Sequence, residues 1–196
     1  MDIILVVELN NFAGPRNYKK TGIDGTVTIR SKKYFGGKGW ISEPIDFTEL
    51  TYFLGYRFEP KNIYMFEISK GMLRGGRLEG RSKSLTVARG LAFIVLVNTR
   101  PGAERGKVVE LYLGEGKEAW GNTLFVPEGV AVAILALADD TIIYSVTDRP
   151  FNRFDSLITL DMFDPKLGIK WPDGINPQQV MTEGRTVKLD EYMKII

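Results

Sequence analysis

The 196-residue chain contains neither cysteine nor histidine. The first absence excludes disulfides, thiolate metal sites and a cysteine nucleophile. The two together leave only an all-oxygen metal site. The acidic pairs Asp139-Asp140 and Asp161/Asp164 read as turn carboxylates at strand ends, so no metal is expected, nor any other cofactor. An excess of one charge is missing too: 26 Lys and Arg stand against 24 Asp and Glu, a net +2 with the signs interleaved. That balance argues against nucleic acid or a membrane surface as partner, and the basic cluster Arg30 to Lys33 reads as a solvated strand end, with an anion-binding patch as the alternative. No apolar run reaches the roughly 18 to 20 residues of a bilayer span. The short apolar run in "MDIILVVELN" follows an acidic residue and has no basic flank or small-residue cleavage site, so a signal peptide is not expected and a cytoplasmic location is. "GGKGW" lacks the spacing of a phosphate-binding P-loop.

What the chain does have is strands. "GTVTIR", "LAFIVLVN", "KVVELYLG", "TLFVPEG" and "TIIYSV" are short, rich in Val, Ile, Thr and aromatics, and bounded by Gly, Pro, Asn or Asp. The densest apolar run, Val130 to Ala138, lies between Pro127-Glu128-Gly129 and Asp139-Asp140 and reads as a strand buried on both faces, with a core helix as the alternative. A short helix is expected to start near Asp46, where Glu49 completes an N-terminal signal, and another in "KLDEYMKII". With 44% hydrophobic residues and no repeat or linker, the chain is expected to fold as one all-β barrel or sandwich over residues 1–196.

Several phrases in order, "YFGGKGWISE", "GMLRGGR", "KSLTVARGLAFIVLVNTRPG", "FVPEGVAVAILALADDTIIYSVTD" and "DPKLGIKWP", resemble the dTDP-4-dehydrorhamnose 3,5-epimerases, a cupin family. The resemblance spans roughly residues 33 to 172. It implies a double-sheet jelly-roll barrel with short peripheral helices, a homodimer, and a dTDP-linked or similar nucleotide-diphosphate sugar held inside the barrel. The family inverts two carbons flanking a 4-keto group. That chemistry needs a base to remove an α-proton, a group to hold the enolate, and an acid on the opposite face.

Carried onto this sequence, the family's base histidine falls on Arg77, which stays protonated and cannot accept a proton. A second family histidine falls on Val132, and the aspartate that orients the base falls near Gly184 or Arg185, beside Glu183. The acid tyrosine matches Tyr144, while a second tyrosine is replaced by Arg149 or Pro150. Among ligand-holding positions the resemblance keeps Arg74, Lys83 and Glu43, puts Lys38 in place of an arginine and Trp40 in place of a phenylalanine, and sets Asn62 and Tyr64 where Gln and Asn are typical.

Three functions fit these residues. The first is a nucleotide-sugar or anion binder without histidine-based epimerase activity, with Arg74, Lys83 and Lys38 on the diphosphate. The second is an isomerase in which Tyr144 works with Arg77, whose charge would favour the phenolate. The third is a structural or interaction protein with a filled barrel, in which Arg77 pairs with Glu79 or Glu183 and Tyr144 and Trp40 merely pack.

Overall fold

The computed structural model describes residues 17–36, 38–77, 79–150, 158–179 and 184–195. The apolar run at residues 1–10 and Glu183 lie outside the described residues. In chain order the strands are β1 (Asn17–Lys20), β2 (Val27–Arg30), β3 (Lys32–Gly36), β4 (Gly39–Glu43), β5 (Asn62–Ile68), β6 (Met72–Arg77), β7 (Lys83–Arg89) and β8 (Leu91–Asn98). They continue with β9 (Val108–Gly114), β10 (Thr123–Val126), β11 (Val130–Ala136), β12 (Thr141–Thr147), β13 (Ile158–Leu160), β14 (Gln178–Gln179) and β15 (Arg185–Val187). Helix α1 is Phe47–Leu54 and α2 is Leu189–Ile195. No helix among the described residues is long and apolar enough to cross a membrane.

The strands form two sheets packed face to face. One runs β1-β2-β10-β7-β12-β5 and the other β15-β13-β6-β11-β8-β9, with β14 joined to β6. Strands β3 and β4 make a separate hairpin. This is the jelly-roll architecture that the phrases imply. The alternation of side chains explains the strand sequences. Along β11, Val130, Val132, Ile134 and Ala136 enter the core between the sheets, whereas Ala131, Ala133 and Leu135 enter a second cluster with Tyr192 of α2 and Met162. Both faces of β11 are covered, so all seven of its residues are apolar and buried. A third cluster packs Val27, Ile29 and Phe125 under Leu50 of α1 and Phe58.

Both expected helices form. The Asp46 side chain accepts from Thr48 N at 2.7 Å and Glu49 N at 3.1 Å, which caps α1. Asp164 serves two elements near the C-terminus, accepting from Lys166 N at 3.1 Å and from Leu189 N, the first residue of α2, at 2.8 Å. These two bonds hold its carboxyl below the usual carboxylate range against the opposing effect of burial, with Lys188 and Lys166 adding to them.

Candidate ligand-binding site

The inter-sheet core is solid over most of its length, because aliphatic residues from β7, β8, β11 and β12 meet there. It opens where β5, an edge strand of one sheet, faces β6 of the other without a hydrogen-bonded ladder between them. The opening is a cavity of about 430 Å³. Asn62, Tyr64 and Phe66 line it from β5, Arg74 and Arg77 from β6, Lys83 and Leu85 from β7, and Val132 and Ile134 from β11, with Glu79 from the β6–β7 connection.

The shape of β6 puts its arginines there. Gly75 and Gly76 both take positive φ, +112° and +84°, and the register with β11 slips between Val132 and Ala133. The resulting bulge lets Arg74 and Arg77, three residues apart, line the same cavity, although strict alternation would place them on opposite faces. Gly75 also lets β11 approach closely, since a Cβ there would lie 2.3 Å from the Val132 carbonyl oxygen. "GMLRGGR" therefore carries its pair of glycines for the backbone and its pair of arginines for the cavity.

The electrostatics follow from three cations around one carboxylate. Lys83 Nζ donates to Glu79 Oε2 at 2.9 Å, and Arg81 Nε lies 3.3 Å from the same oxygen. Burial alone would push the Glu79 carboxyl up, but Lys83, Arg81 and Arg77 together outweigh it and hold the group below its usual range. The Tyr64 phenol moves the other way. Burial raises it and the Glu79 charge adds to that, against smaller opposing effects of Ser145, Arg81 and Arg74. Tyr64 is thus a protonated hydrogen-bond donor. Its ring stacks near that of Phe66 at 6.2 Å, and the Arg74 guanidinium lies over Phe66 at 5.1 Å. The wall presents donors, cations and ring faces, while Leu85, Val132 and Ile134 make an apolar floor.

The other expected positions lie elsewhere. Ile142, Tyr144 and Val146 point away from the barrel, because Ile143 of the same strand enters the inter-sheet core. Tyr144 lines a separate cavity of about 730 Å³ on the outer face, with Trp40, Arg30, Thr86 and Trp120. Tyr144 and Arg77 do not share a cavity, so the pairing of these two as a proton-transfer unit is corrected: the phenol that lines the same cavity as Arg77 is Tyr64. Lys38, Trp40 and Glu43 sit on or beside the largely exposed strand β4, outside the barrel cavity. Arg149 bridges Glu128 at 3.1 Å and the Gly80 carbonyl at 2.6 Å, and Arg185 pairs with Glu191 at 2.7 Å on the surface. Residue-by-residue reading offers Glu79 only as one partner for Arg77 in a filled barrel, and misses its contacts with Lys83 and Arg81. Its signal is the spacing "RLEGRSK", which places one acid among three bases.

The chain and its fold have known relatives. The sequence pattern of the dTDP-4-dehydrorhamnose 3,5-epimerases matches residues 20–189. The chain belongs to the dTDP-4-dehydrorhamnose 3,5-epimerase family. A family enzyme of that name from Methanothermobacter thermautotrophicus is 32% identical over 161 residues, which cover 78% of this chain and 82% of that protein. Among solved structures, an epimerase from Mycobacterium tuberculosis superposes with a TM-score of 0.81 at 22% identity, covering 91% of both chains. A dTDP-6-deoxy-D-glucose-3,5-epimerase from Legionella pneumophila, solved in complex with dTDP-4-keto-L-rhamnose, gives 0.75 at 24% identity, with coverage of 84% of this chain and 88% of that one. At these identities the structures establish the fold, and the sequence match establishes the epimerase family.

Proposed function

We propose that this family member binds a nucleoside-diphosphate sugar in the barrel cavity and does not carry out histidine-based 3,5-epimerisation. One observation carries the reading: Arg74, Arg77 and Lys83 converge on one cavity in a chain that contains no histidine. The cations lining the cavity outnumber its one carboxylate, Glu79, and an excess of positive charge suits the negative charges of a diphosphate diester. The aliphatic floor and the Tyr64–Phe66 wall suit the ring of a deoxy sugar, which has an apolar face.

The same groups make poor proton-abstraction machinery. Arg77 holds its proton, Tyr64 is pushed further toward the protonated form, and Glu79 is made a weaker base by the cations around it. What remains is a set of donors and cations for an anionic, oxygen-rich ligand. The binding unit in this proposal is a homodimer, supported by the exposed Ile63, Met65 and Tyr144 side chains on the outer face of the six-stranded sheet.

Calorimetric titration with dTDP-glucose tests the proposal. Saturable binding that falls about tenfold or more in each of Arg74→Ala and Lys83→Ala supports it. Binding that is indifferent to both substitutions overturns it.

A further inference from the structure

An anion site that already contains an anion needs an explanation. Glu79 Oε2 takes the Lys83 ammonium at 2.9 Å and sits 3.3 Å from Arg81 Nε. Both cationic side chains are almost fully enclosed, Lys83 at 6% and Arg81 at 2% exposure, whereas Glu79 at 22% faces the cavity. Arg81 is also tied down independently, since its Nη1 donates to the Pro150 carbonyl at 2.9 Å. The deep ammonium is therefore committed to an internal carboxylate, while Arg74 lies exposed over Phe66.

We propose that Glu79 is a built-in competitor for the anion site: its carboxylate occupies the Lys83 ammonium that a ligand phosphate takes, and so sets the affinity and the charge selectivity of the cavity. This inference rests on the reading of the cavity as a site for a diphosphate ligand. Entry of a phosphate replaces one charge-assisted hydrogen bond to Lys83 with another and pushes two like charges together. The cost rises with the charge on the ligand. A nucleoside diphosphate with a free terminal phosphate carries more negative charge near neutral pH than its sugar ester does. Glu79 therefore discriminates against the bare nucleotide in favour of the sugar-linked form.

The test compares wild type and Glu79→Gln by calorimetry with dTDP and with dTDP-glucose. The expected result is tightening of about tenfold or more for dTDP and a smaller tightening for dTDP-glucose. Affinity that is unchanged or weaker in the variant overturns the inference, because it means that Glu79 only holds Lys83 in place. Should Glu79→Gln fail to fold once the carboxylate beside Lys83 and Arg81 is gone, Glu79→Asp withdraws the carboxylate by one methylene and is expected to tighten dTDP binding in the same order of ligands. No tightening there overturns the inference equally. Binding by wild type without any gain in the variants refutes the competitor role alone, while a complete absence of binding of either nucleotide to any form refutes the diphosphate site itself.

Discussion

Replacing Gly75 with alanine tests whether the β6 backbone is what brings both arginines into the barrel. Gly75 has φ +112°, and an added Cβ would lie 2.3 Å from the Val132 oxygen and 3.0 Å from the Ala133 Cα. Both are backbone atoms of β11, whose two faces are packed, so neither yields without moving a core strand. Gly55 supplies the control: it ends α1 at φ +75° with nothing within 4 Å of an added Cβ. Gly55→Ala therefore carries only the left-handed backbone cost, about 1 kcal/mol. Gly75→Ala adds an overpacking cost of about 1 to 3 kcal/mol, for a total of about 3 kcal/mol. With a urea slope of about 2 to 3 kcal/mol/M, the unfolding midpoint should fall by about 1 M for Gly75→Ala and by less than about half that for Gly55→Ala. Equal midpoints for the two variants would refute the close approach of β6 to β11.

Three further outcomes follow from the same geometry. The Glu79 carboxyl is held below its ordinary value near 4.5, so its stabilising contribution is complete above that pH and is lost as pH falls through the lower folded value. Glu79→Gln should accordingly lose less urea stability than wild type as the pH is lowered from about 5 to about 3, and parallel losses would refute the stabilising role of the carboxylate. Asp164→Ala removes the acceptor for Lys166 N and Leu189 N, and should lower stability by about 1 to 2 kcal/mol in chemical denaturation while leaving nucleotide affinity unchanged. Tyr64→Phe should weaken dTDP-glucose binding about fivefold and Tyr144→Phe should not, and the reverse order in calorimetry would move the ligand to the outer cavity.

The fold is legible in the sequence because its signals are local. Strand β11 announces itself as an unbroken apolar run, since both of its faces are covered, and α1 by Asp46 three residues before Glu49. Arg74, Arg77 and Lys83 are legible for a different reason: each sits in a short motif with a fixed offset from a glycine turn or a strand start. The face of Tyr144 is not. In "TIIYSV" apolar or aromatic side chains fall on both faces of β12, Ile143 inside and Ile142, Tyr144 and Val146 outside, so alternation alone does not mark which face turns inward. In the sequence Glu79 is visible only as one possible partner for Arg77. It accepts a hydrogen bond from Lys83, the first residue of β7, across a connection whose path is set by tertiary packing.

Whether the barrel holds a nucleoside-diphosphate sugar without a histidine base to act on it is decided by proton NMR of dTDP-4-keto-6-deoxyglucose with the protein in heavy water. The expected spectra show broadened ligand lines together with C3 and C5 proton signals that persist as long as in a protein-free control. Loss of either signal faster than in that control would contradict the reading of the cavity as a binding site without proton-abstraction machinery, by showing that a group other than histidine removes the proton.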